Sequence, residues 1–223
     1  MDIDPRIYVR RRGRLTDGQA KALRDYGEQF VLSENRPLLT WENGFRLPQN
    51  FGVEIGFGTG DFLISWGKTS PDWNLVGIDI YRPGIGSLLR KIIDERITNI
   101  RVLEMDARIA FLYCFEEASI DEVRIYFPDP WPKKRHHKRR IIQPEFISLL
   151  ALAIKPGGHL FLATDWWEYA DWMRQVIGAS PEFSLLHPYE IPNPSHRLQP
   201  TKFEARGLKL GHKIVDLAYQ RKR

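Results

Sequence analysis

The sequence predicts an α/β protein built on a mostly parallel, seven-stranded sheet, with helices on both faces and an antiparallel hairpin at its C-terminal end. Two observations support this prediction: short apolar runs alternate with helical patterns along most of the chain, and the last two apolar runs have no helix between them. Alternating strands and helices form right-handed crossovers that leave the strands parallel. The final pair of runs predicts the hairpin at one edge of the sheet.

The first 48 residues precede this regular pattern, and we expect an arginine-rich arm followed by one helix. The helix is predicted from a cap at Thr16 or Asp17 and from the apolar residues that follow at helical spacing. A stretch rich in turn-forming residues separates this helix from the first strand. We therefore divide the chain into residues 1–48 and a single domain of residues 49–223.

Five strand and helix pairs follow in order. The strands are predicted at residues 51–55, 75–80, 100–105, 122–127 and 159–163. Their helices are predicted at residues 61–68, 85–97, 107–115, 144–154 and 167–177. The strands of the hairpin are predicted at residues 184–186 and 214–219, where alternating apolar residues resume without a helical period.

Length and composition exclude several classes of protein. The 223 residues are 43% hydrophobic and 12% aromatic, which is typical of a globular chain with a buried core. The single cysteine, Cys114, excludes an intramolecular disulfide and a multi-cysteine zinc site. No apolar run is long enough to span a bilayer, and the N-terminal segment lacks the apolar stretch of a signal peptide. We expect a cytoplasmic protein that requires no metal.

Positive charge is concentrated in one short segment. The formal net charge is +5, and six of the eight residues from Lys133 to Arg140 are lysine or arginine. A second cluster of arginines lies in the N-terminal arm. Concentrated positive charge favours a polyanionic partner. A solvated surface or a targeting segment is the alternative.

The first strand runs into a glycine-rich turn that contains Gly56, Gly58 and Gly60. Glycines let the backbone approach a ligand at the carboxyl end of a strand, where open α/β sheets bind cofactors. A dinucleotide fingerprint needs another spacing, since Asp61 stands where its third glycine is expected. The acidic Glu54 suits a cationic group better than a phosphate, and S-adenosyl-L-methionine carries an ammonium and a sulfonium. A structural turn without a ligand is the alternative.

Acidic residues also follow the next three strands. Asp79 suits the two hydroxyls of a ribose, and Asp106 suits the exocyclic amine of adenine. Taken singly, each favours a helix N-cap, but together with Glu54 they form a row that caps alone do not predict. Asp129 stands between two prolines, which stiffen its loop and hold its carboxylate beside the expected methyl donor. The alternative is a turn-forming Asp-Pro, with Trp131 packed in the core.

Three segments of the sequence carry a resemblance to a known family. They are Glu-Ile-Gly-Phe-Gly-Thr-Gly at 54–60, Asp-Pro-Trp-Pro-Lys-Lys-Arg-His-His-Lys-Arg-Arg at 129–140 and Thr-Lys-Phe-Glu at 201–204. Together they resemble the bacterial tRNA (guanine-N7-)-methyltransferase family, and the similarity covers nearly the whole chain. The resemblance implies a class I methyltransferase fold, which is Rossmann-like. It also implies methyl transfer from S-adenosyl-L-methionine to N7 of a variable-loop guanine (m7G46) in tRNA.

The resemblance implies roles for individual residues. Cofactor binding is implied for Glu54, Gly56, Gly58, Asp79, Asp106 and Asp129, with Asp129 also the catalytic residue. Substrate binding is implied for Lys133, Asp165, Thr201, Lys202, Phe203 and Glu204. RNA contacts are implied for Arg135, His136, His137, Lys138, Arg139 and Arg140. Asp79 departs from the family, where glutamate is expected, which leaves the geometry at the ribose open.

Guanine N7 carries an in-plane lone pair and no proton at neutral pH, so its attack on a sulfonium methyl needs no obligatory general base. Catalysis should then depend on alignment and electrostatics. Asp129, Asp165 and Glu204 are the candidates for stabilising the cation that develops on the purine. Asp165 could instead cap the following helix, and Glu204 with Lys202 could form a solvated strand face.

The expected partner is tRNA, with no membrane and no obligatory protein partner, and the chain should be a monomer or a homodimer. Trp131 or Phe203 could stack on an extruded base, with core packing as the alternative for each. The adjacent His136 and His137 lack metal-ligand spacing and suit RNA contacts or solvent. A nicotinamide-dependent dehydrogenase is disfavoured by the glycine spacing. A non-catalytic RNA-binding protein and a methyltransferase acting on another RNA are the remaining alternatives.

Overall fold

A computed structural model describes residues 13–32, 50–187 and 213–223 of the chain. The helices of these residues are α1 (Asp17–Phe30), α2 (Asp61–Thr69), α3 (Arg82–Asp94), α4 (Ala107–Tyr113), α5 (Pro144–Ala153) and α6 (Trp167–Gly178). The strands are β1 (Asn50–Ile55), β2 (Trp73–Ile78), β3 (Ile100–Leu103), β4 (Ile120–Tyr126), β5 (Ile154–Thr164), β6 (Phe183–His187) and β7 (Val215–Arg221). A 3₁₀ helix, Lys134–Arg139, lies between β4 and α5.

The strands form one sheet in the order β3-β2-β1-β4-β5-β7-β6. Strands β1 to β5 are parallel, whereas β7 is antiparallel to both β5 and β6. The predicted parallel sheet with an antiparallel C-terminal hairpin is therefore confirmed. The strand order reverses between β1 and β4, and open sheets of this kind bind ligands at the carboxyl ends of strands beside such a reversal.

Helices cover both faces of the sheet, as predicted. One apolar core contains buried side chains of α4, α5 and α6, among them Phe111, Phe146 and Tyr169. The other contains side chains of α1, α2 and α3, including Trp66 and Leu88. The inner strands are buried on both faces because each face carries helices. None of the helices in the described ranges is long and apolar enough to cross a membrane.

Helix α1 begins with a capping box, which confirms Thr16 as its cap. The Thr16 hydroxyl accepts a hydrogen bond from the Gln19 amide, and the Gln19 side chain accepts one from the Thr16 amide at 2.9 Å. The same Gln19 side chain donates to the Ser87 hydroxyl at 2.9 Å, which ties α1 to α3. Just before α1, a Cβ on Gly13 would lie 2.8 Å from ring atoms of both Tyr81 and Pro83. The described chain therefore enters α1 from the carboxyl edge of the parallel strands, where α3 begins.

Candidate active site

Five acidic side chains lie along the carboxyl edge of the parallel strands. They are Glu54 near the end of β1, Asp79 after β2, Asp106 after β3, Asp129 after β4 and Asp165 after β5. The parallel ladder continues past the strand ends, since the Gly56 amide donates to Ile78 O and the Phe127 amide donates to Ala163 O, each at 2.8 Å. These bonds align the end of β1 with that of β2 and the end of β4 with that of β5. The predicted row of acidic residues is therefore present at this edge.

The turn after β1 has a left-handed backbone at its glycines. The φ angles of Gly56, Gly58 and Gly60 are +75°, +57° and +76°, a region that disfavours side chains. A Cβ on Gly56 or Gly58 would meet nothing within 4 Å, so the space in front of the turn is open. A Cβ on Gly84 of α3 would instead lie 2.0 Å from Gly58 O. Helix α3 therefore supports the turn from behind while its front faces any ligand.

Asp79 braces this glycine turn. Its carboxylate accepts hydrogen bonds from the Gly58 amide at 2.9 Å and from the Tyr81 amide at 2.8 Å. It is not the N-cap of α3, because that position is Tyr81. Asp79 therefore links the glycine turn after β1 to the start of α3.

Asp106 is the N-cap of α4, so the alternative that it caps a helix is confirmed. Its carboxylate accepts a hydrogen bond from the Arg108 amide at 2.8 Å. Burial raises the pKa of this carboxyl, against the opposing effect of the amide hydrogen bond and the Arg108 charge. Asp106 therefore caps α4 at the carboxyl edge, where a carboxylate oxygen can also serve a ligand.

Glu54 is a buried carboxyl group with an oxygen atom that lacks a partner. The residue is 3% exposed, and Oε2 has no hydrogen-bond partner among the described residues. Arg124 is its register neighbour on β4, but the Arg124 side chain pairs with Glu122 and lies 3.7 Å from the centroid of the Trp66 ring. Burial raises the pKa of Glu54 to about 8, and the Arg124 charge opposes this. An unpartnered buried carboxyl is costly, and a cationic ligand would satisfy it. The residues present therefore fit the ammonium group of S-adenosyl-L-methionine.

The loop after β4 has an unusual backbone on both sides of Asp129. Phe127 and Trp131 have φ angles of +50° and +45°, which non-glycine residues rarely adopt. Such conformations cost about 1–3 kcal/mol each and persist only where the surroundings enforce them. Asp129 itself is exposed. The sequence did not predict the backbone conformation of Phe127 and Trp131, because no local signal marks a positive φ outside glycine, asparagine and aspartate.

Arg140 corrects the prediction that it contacts RNA. Its side chain is 0% exposed and forms two hydrogen bonds with the Glu168 carboxylate of α6. Its Nε donates to Pro130 O at 2.9 Å, and its guanidinium lies 4.7 Å from the centroid of the Tyr169 ring. The group is enclosed by protein and is unavailable to a partner. It joins the Asp129 loop to the first turn of α6 instead.

The rest of the cationic segment has a different environment. Its exposed cations are Lys133, Lys134, Arg135 and Lys138. The partly buried Arg139 lies 5.1 Å from the centroid of the Trp131 ring, and the His136 ring packs edge-on against the same ring at 5.9 Å. Trp131 therefore packs against the cationic 3₁₀ helix, in contact with neither of the two apolar cores.

Asp165 follows β5, next to the end of β4. It is not the N-cap of α6, since that position is Trp166, whose amide donates to Thr164 Oγ1 at 3.2 Å. The alternative that Asp165 caps α6 is therefore wrong, and its side chain remains a candidate for substrate contact. Four predicted substrate residues lie outside the described ranges: Thr201, Lys202, Phe203 and Glu204. Within the described ranges, no group of three His, Cys, Asp or Glu side chains could hold a metal ion.

Sequence comparisons identify relatives of this chain. Residues 48–217 match the model of a family described as "Putative methyltransferase". The chain is 42% identical over 214 residues to a tRNA (guanine-N(7)-)-methyltransferase of Paracidovorax citrulli, covering 96% of this chain and 86% of that protein. It is 40% identical to a tRNA (guanine-N(7)-)-methyltransferase of Pseudoalteromonas atlantica, covering 96% of this chain and 90% of that protein.

Solved structures share the fold at low sequence identity. The 16S rRNA methyltransferase KamB aligns with a TM-score of 0.57 and 13% identity, covering 96% of this chain and 98% of that one. TrmN from Thermus thermophilus aligns with a TM-score of 0.58 and 16% identity, covering 78% of this chain and 44% of that one. These likenesses establish that the sheet and its helices have the class I methyltransferase architecture.

Proposed function

The chain belongs to the tRNA (guanine-N7-)-methyltransferase family, and from this premise we propose that it transfers the methyl group of S-adenosyl-L-methionine to N7 of a guanine in tRNA. The nucleotide proposed is the variable-loop guanine m7G46. The observation that carries the proposal is the buried Glu54 carboxyl, whose unpartnered oxygen lies at the end of β1 beside an open glycine turn. In a non-catalytic RNA-binding protein with an empty cofactor pocket, no cationic ligand would offset the cost of burying the Glu54 carboxyl.

The residues of β1, β2 and β3 would hold the cofactor. Glu54 would bind its ammonium, Asp79 its ribose hydroxyls and Asp106 the amine of its adenine, while Gly56 and Gly58 allow close approach of the backbone. When bound, S-adenosyl-L-methionine supplies a methyl group on a positively charged sulfur. The shorter side chain of Asp79 already holds the turn through the Gly58 amide, so ribose binding and turn geometry depend on one group.

The residues after β4 and β5 would act on the guanine. N7 has a free lone pair, so the chain needs to align the base and stabilise the positive charge that appears on it. Asp129 is the proposed catalytic residue, and Asp165, at the end of the adjacent strand, would contact the base. Lys133 and the segment Thr201, Lys202, Phe203 and Glu204 are proposed to hold the substrate.

The cationic segment would bind the tRNA backbone. Exposed lysine and arginine side chains attract phosphates and release counterions on binding. The proposed phosphate contacts are Lys134, Arg135, Lys138 and Arg139, with His136 and His137 beside them. We also propose that the protein acts in the cytoplasm and that residues 49–223 form the catalytic domain.

The direct test is to incubate the protein with unmodified tRNA and radiolabelled S-adenosyl-L-methionine. We expect label in the tRNA and chain scission at one guanine after treatment that cleaves at N7-methylguanine. Label on another atom or in another RNA would contradict the proposed substrate, and binding of tRNA with no transfer of label would contradict an enzymatic role.

A further inference from the structure

Two adjacent tryptophans at the start of α6 are exposed. Trp166 is 37% exposed and Trp167 is 53% exposed. The other tryptophans of the described ranges are buried or half-buried: Trp66, Trp73, Trp131 and Trp172. Scattered apolar residues are common on surfaces, but a pair of adjacent indoles is a large apolar patch for one helix end. The pair directly follows Asp165, so it lies at the carboxyl edge beside the proposed reaction centre.

The acidic side chains of α6 near the pair are neutralised by arginines. Glu168 accepts two hydrogen bonds from Arg140, and Asp171 accepts one from Arg174 at 2.9 Å. Glu168 and Asp171 are the two acidic residues of α6. Because both are paired, α6 itself adds little net negative charge beside the tryptophans, and Asp165 is the acidic residue that directly precedes them.

The Trp167 ring is also held in place. The guanidinium of Arg174 lies 5.3 Å from the centroid of the Trp167 ring, while Trp167 keeps about half of its surface exposed. The Glu168 carboxyl in the first turn of α6 is hydrogen-bonded by Arg140, which holds the pKa of Glu168 below its ordinary value. Rings that are already ordered lose little conformational entropy when they bind a ligand.

We propose that Trp166 and Trp167 form a stacking platform for unpaired nucleobases of the RNA substrate. This inference rests on the proposed function and assigns a surface to one part of the tRNA. Aromatic rings stack on unpaired bases of any sequence, while neighbouring cations bind the phosphates between them. The ion pair between Arg140 and Glu168 brings the start of α6 against the cationic segment. The exposed Lys134 and Arg135 of that segment supply the positive charge that favours RNA as the ligand of this surface.

The test compares leucine and phenylalanine at both positions. The double variant Trp166→Leu, Trp167→Leu keeps apolar bulk without an aromatic ring, and we expect it to weaken tRNA binding about 5- to 150-fold. The double variant Trp166→Phe, Trp167→Phe should bind tRNA within about threefold of the wild type, because it can still stack. Tyr113→Leu is the matched control, since Tyr113 is 72% exposed at the end of α4, on the opposite edge of the sheet. Affinity for tRNA is measured by filter binding, and affinity for S-adenosyl-L-methionine by calorimetry.

Two results would contradict the proposed stacking of Trp166 and Trp167 on RNA bases. One is wild-type tRNA affinity in the leucine double variant, and the other is an equal loss in the leucine and phenylalanine variants with unchanged binding of S-adenosyl-L-methionine. Failure of the proposed function is recognised separately in the wild-type protein, as tRNA that receives no methyl at guanine N7. The tRNA affinities of the variants still decide the platform in that case.

Discussion

The two halves of the carboxyl edge are held by different kinds of interaction. At the ends of β1 and β2, the turn is fixed mainly by its backbone, through left-handed glycines, and the Asp79 carboxylate adds one hydrogen bond from the Gly58 amide. At the ends of β4 and β5, the loop is fixed by a side chain, since Arg140 bonds both Pro130 O and the Glu168 carboxylate. The first half is the proposed cofactor side, and the second is the proposed substrate side.

This difference indicates where each half is vulnerable. A turn built mainly from backbone conformation tolerates changes in nearby side chains, provided that its glycines and Asp79 remain. A loop with two strained residues depends on the surroundings that enforce it, and here the buried Arg140 guanidinium, through its bonds to Pro130 O and Glu168, supplies much of that support. We therefore expect single substitutions to displace the substrate side more readily than the cofactor side.

The largest expected effect is that of Arg140→Ala. Arg140 is a large, fully buried side chain, and truncating a buried side chain to alanine destabilises a protein by about 2–5 kcal/mol. The Pro130 carbonyl loses its donor as well, whereas the half-exposed Glu168 can be hydrated. Urea denaturation measures the free energy of unfolding, with Arg139→Ala as the neighbouring control. Arg140→Lys keeps the charge and should recover part of the loss if the alanine variant does not fold. A loss of unfolding free energy no larger than that of Arg139→Ala would contradict the structural role of Arg140 and favour an RNA contact instead.

Asp129→Ala tests whether the substrate side carries the chemistry. If the carboxylate stabilises charge on the purine in the transition state, kcat should fall about 10²- to 10³-fold. Binding of S-adenosyl-L-methionine, measured by calorimetry, should weaken far less. Asp129→Asn is the matched variant, because it keeps the shape and removes the charge. An unchanged kcat would remove Asp129 from the mechanism.

Glu54→Gln tests the cofactor side. Loss of a hydrogen bond between charged groups costs about 1.5–3 kcal/mol, so the Kd for S-adenosyl-L-methionine should rise about 10- to 100-fold. With its pKa near 8, the Glu54 carboxyl of the free protein is mostly protonated at pH 7, and a bound cation would ionise it. Calorimetry in buffers of different ionisation enthalpy should therefore detect proton release with the wild type and none from this position in the variant. Equal proton release by both proteins would contradict this assignment.

The same carboxyl makes the stability of the free protein depend on pH. Its pKa is raised from 4.5 to about 8, so between these values the unfolded chain is ionised at Glu54 while the folded chain is protonated. The unfolded chain then binds fewer protons, and stability falls as the pH rises through this window. At pH 7 the cost is on the order of 3 kcal/mol, which Glu54→Gln should recover in thermal unfolding of the free protein. A variant with an unchanged pH profile would contradict the burial argument.

The smallest effect is expected from the exposed cations. Replacing Lys134, Arg135 and Lys138 by alanine removes three proposed phosphate contacts, which should flatten the slope of log affinity for tRNA against log salt by about 2 to 3. Stability should be unchanged. The control replaces Lys68, Arg96 and Lys155, which are cations at the opposite edge of the sheet. An equal change in slope in both triple variants would show that net charge, rather than this segment, determines binding.

Local patterns in the sequence were sufficient to predict the cofactor side. The strands, the glycine turn and the acidic residues after the strands are signalled by neighbouring residues. Most boundaries differ by one to three residues, and the largest difference is at β5, which begins at Ile154 rather than at residue 159. Pro156, Gly157 and Gly158 resemble a turn, yet Gly157, with a φ of +86°, lies within the strand.

The substrate side could be predicted only in part. Six cations in eight residues have the same local signal, and only the tertiary fold brings Glu168 and Tyr169 against Arg140 and leaves Arg135 exposed. The exposure of Trp166 has the same origin, because aromatic residues near helix starts are usually core residues. Burial of a charged or aromatic side chain depends on which helix packs beside it, and a linear pattern does not record this.

The contact of Gly13 with Tyr81 and Pro83 has a consequence for the arginines that precede it. Arg10, Arg11 and Arg12 directly precede Gly13 in the sequence, and a cation joined to a binding surface through a short stretch of chain acts at a high effective concentration toward a phosphate bound there. The arm would thus add to RNA affinity by its point of attachment, whatever conformation it adopts.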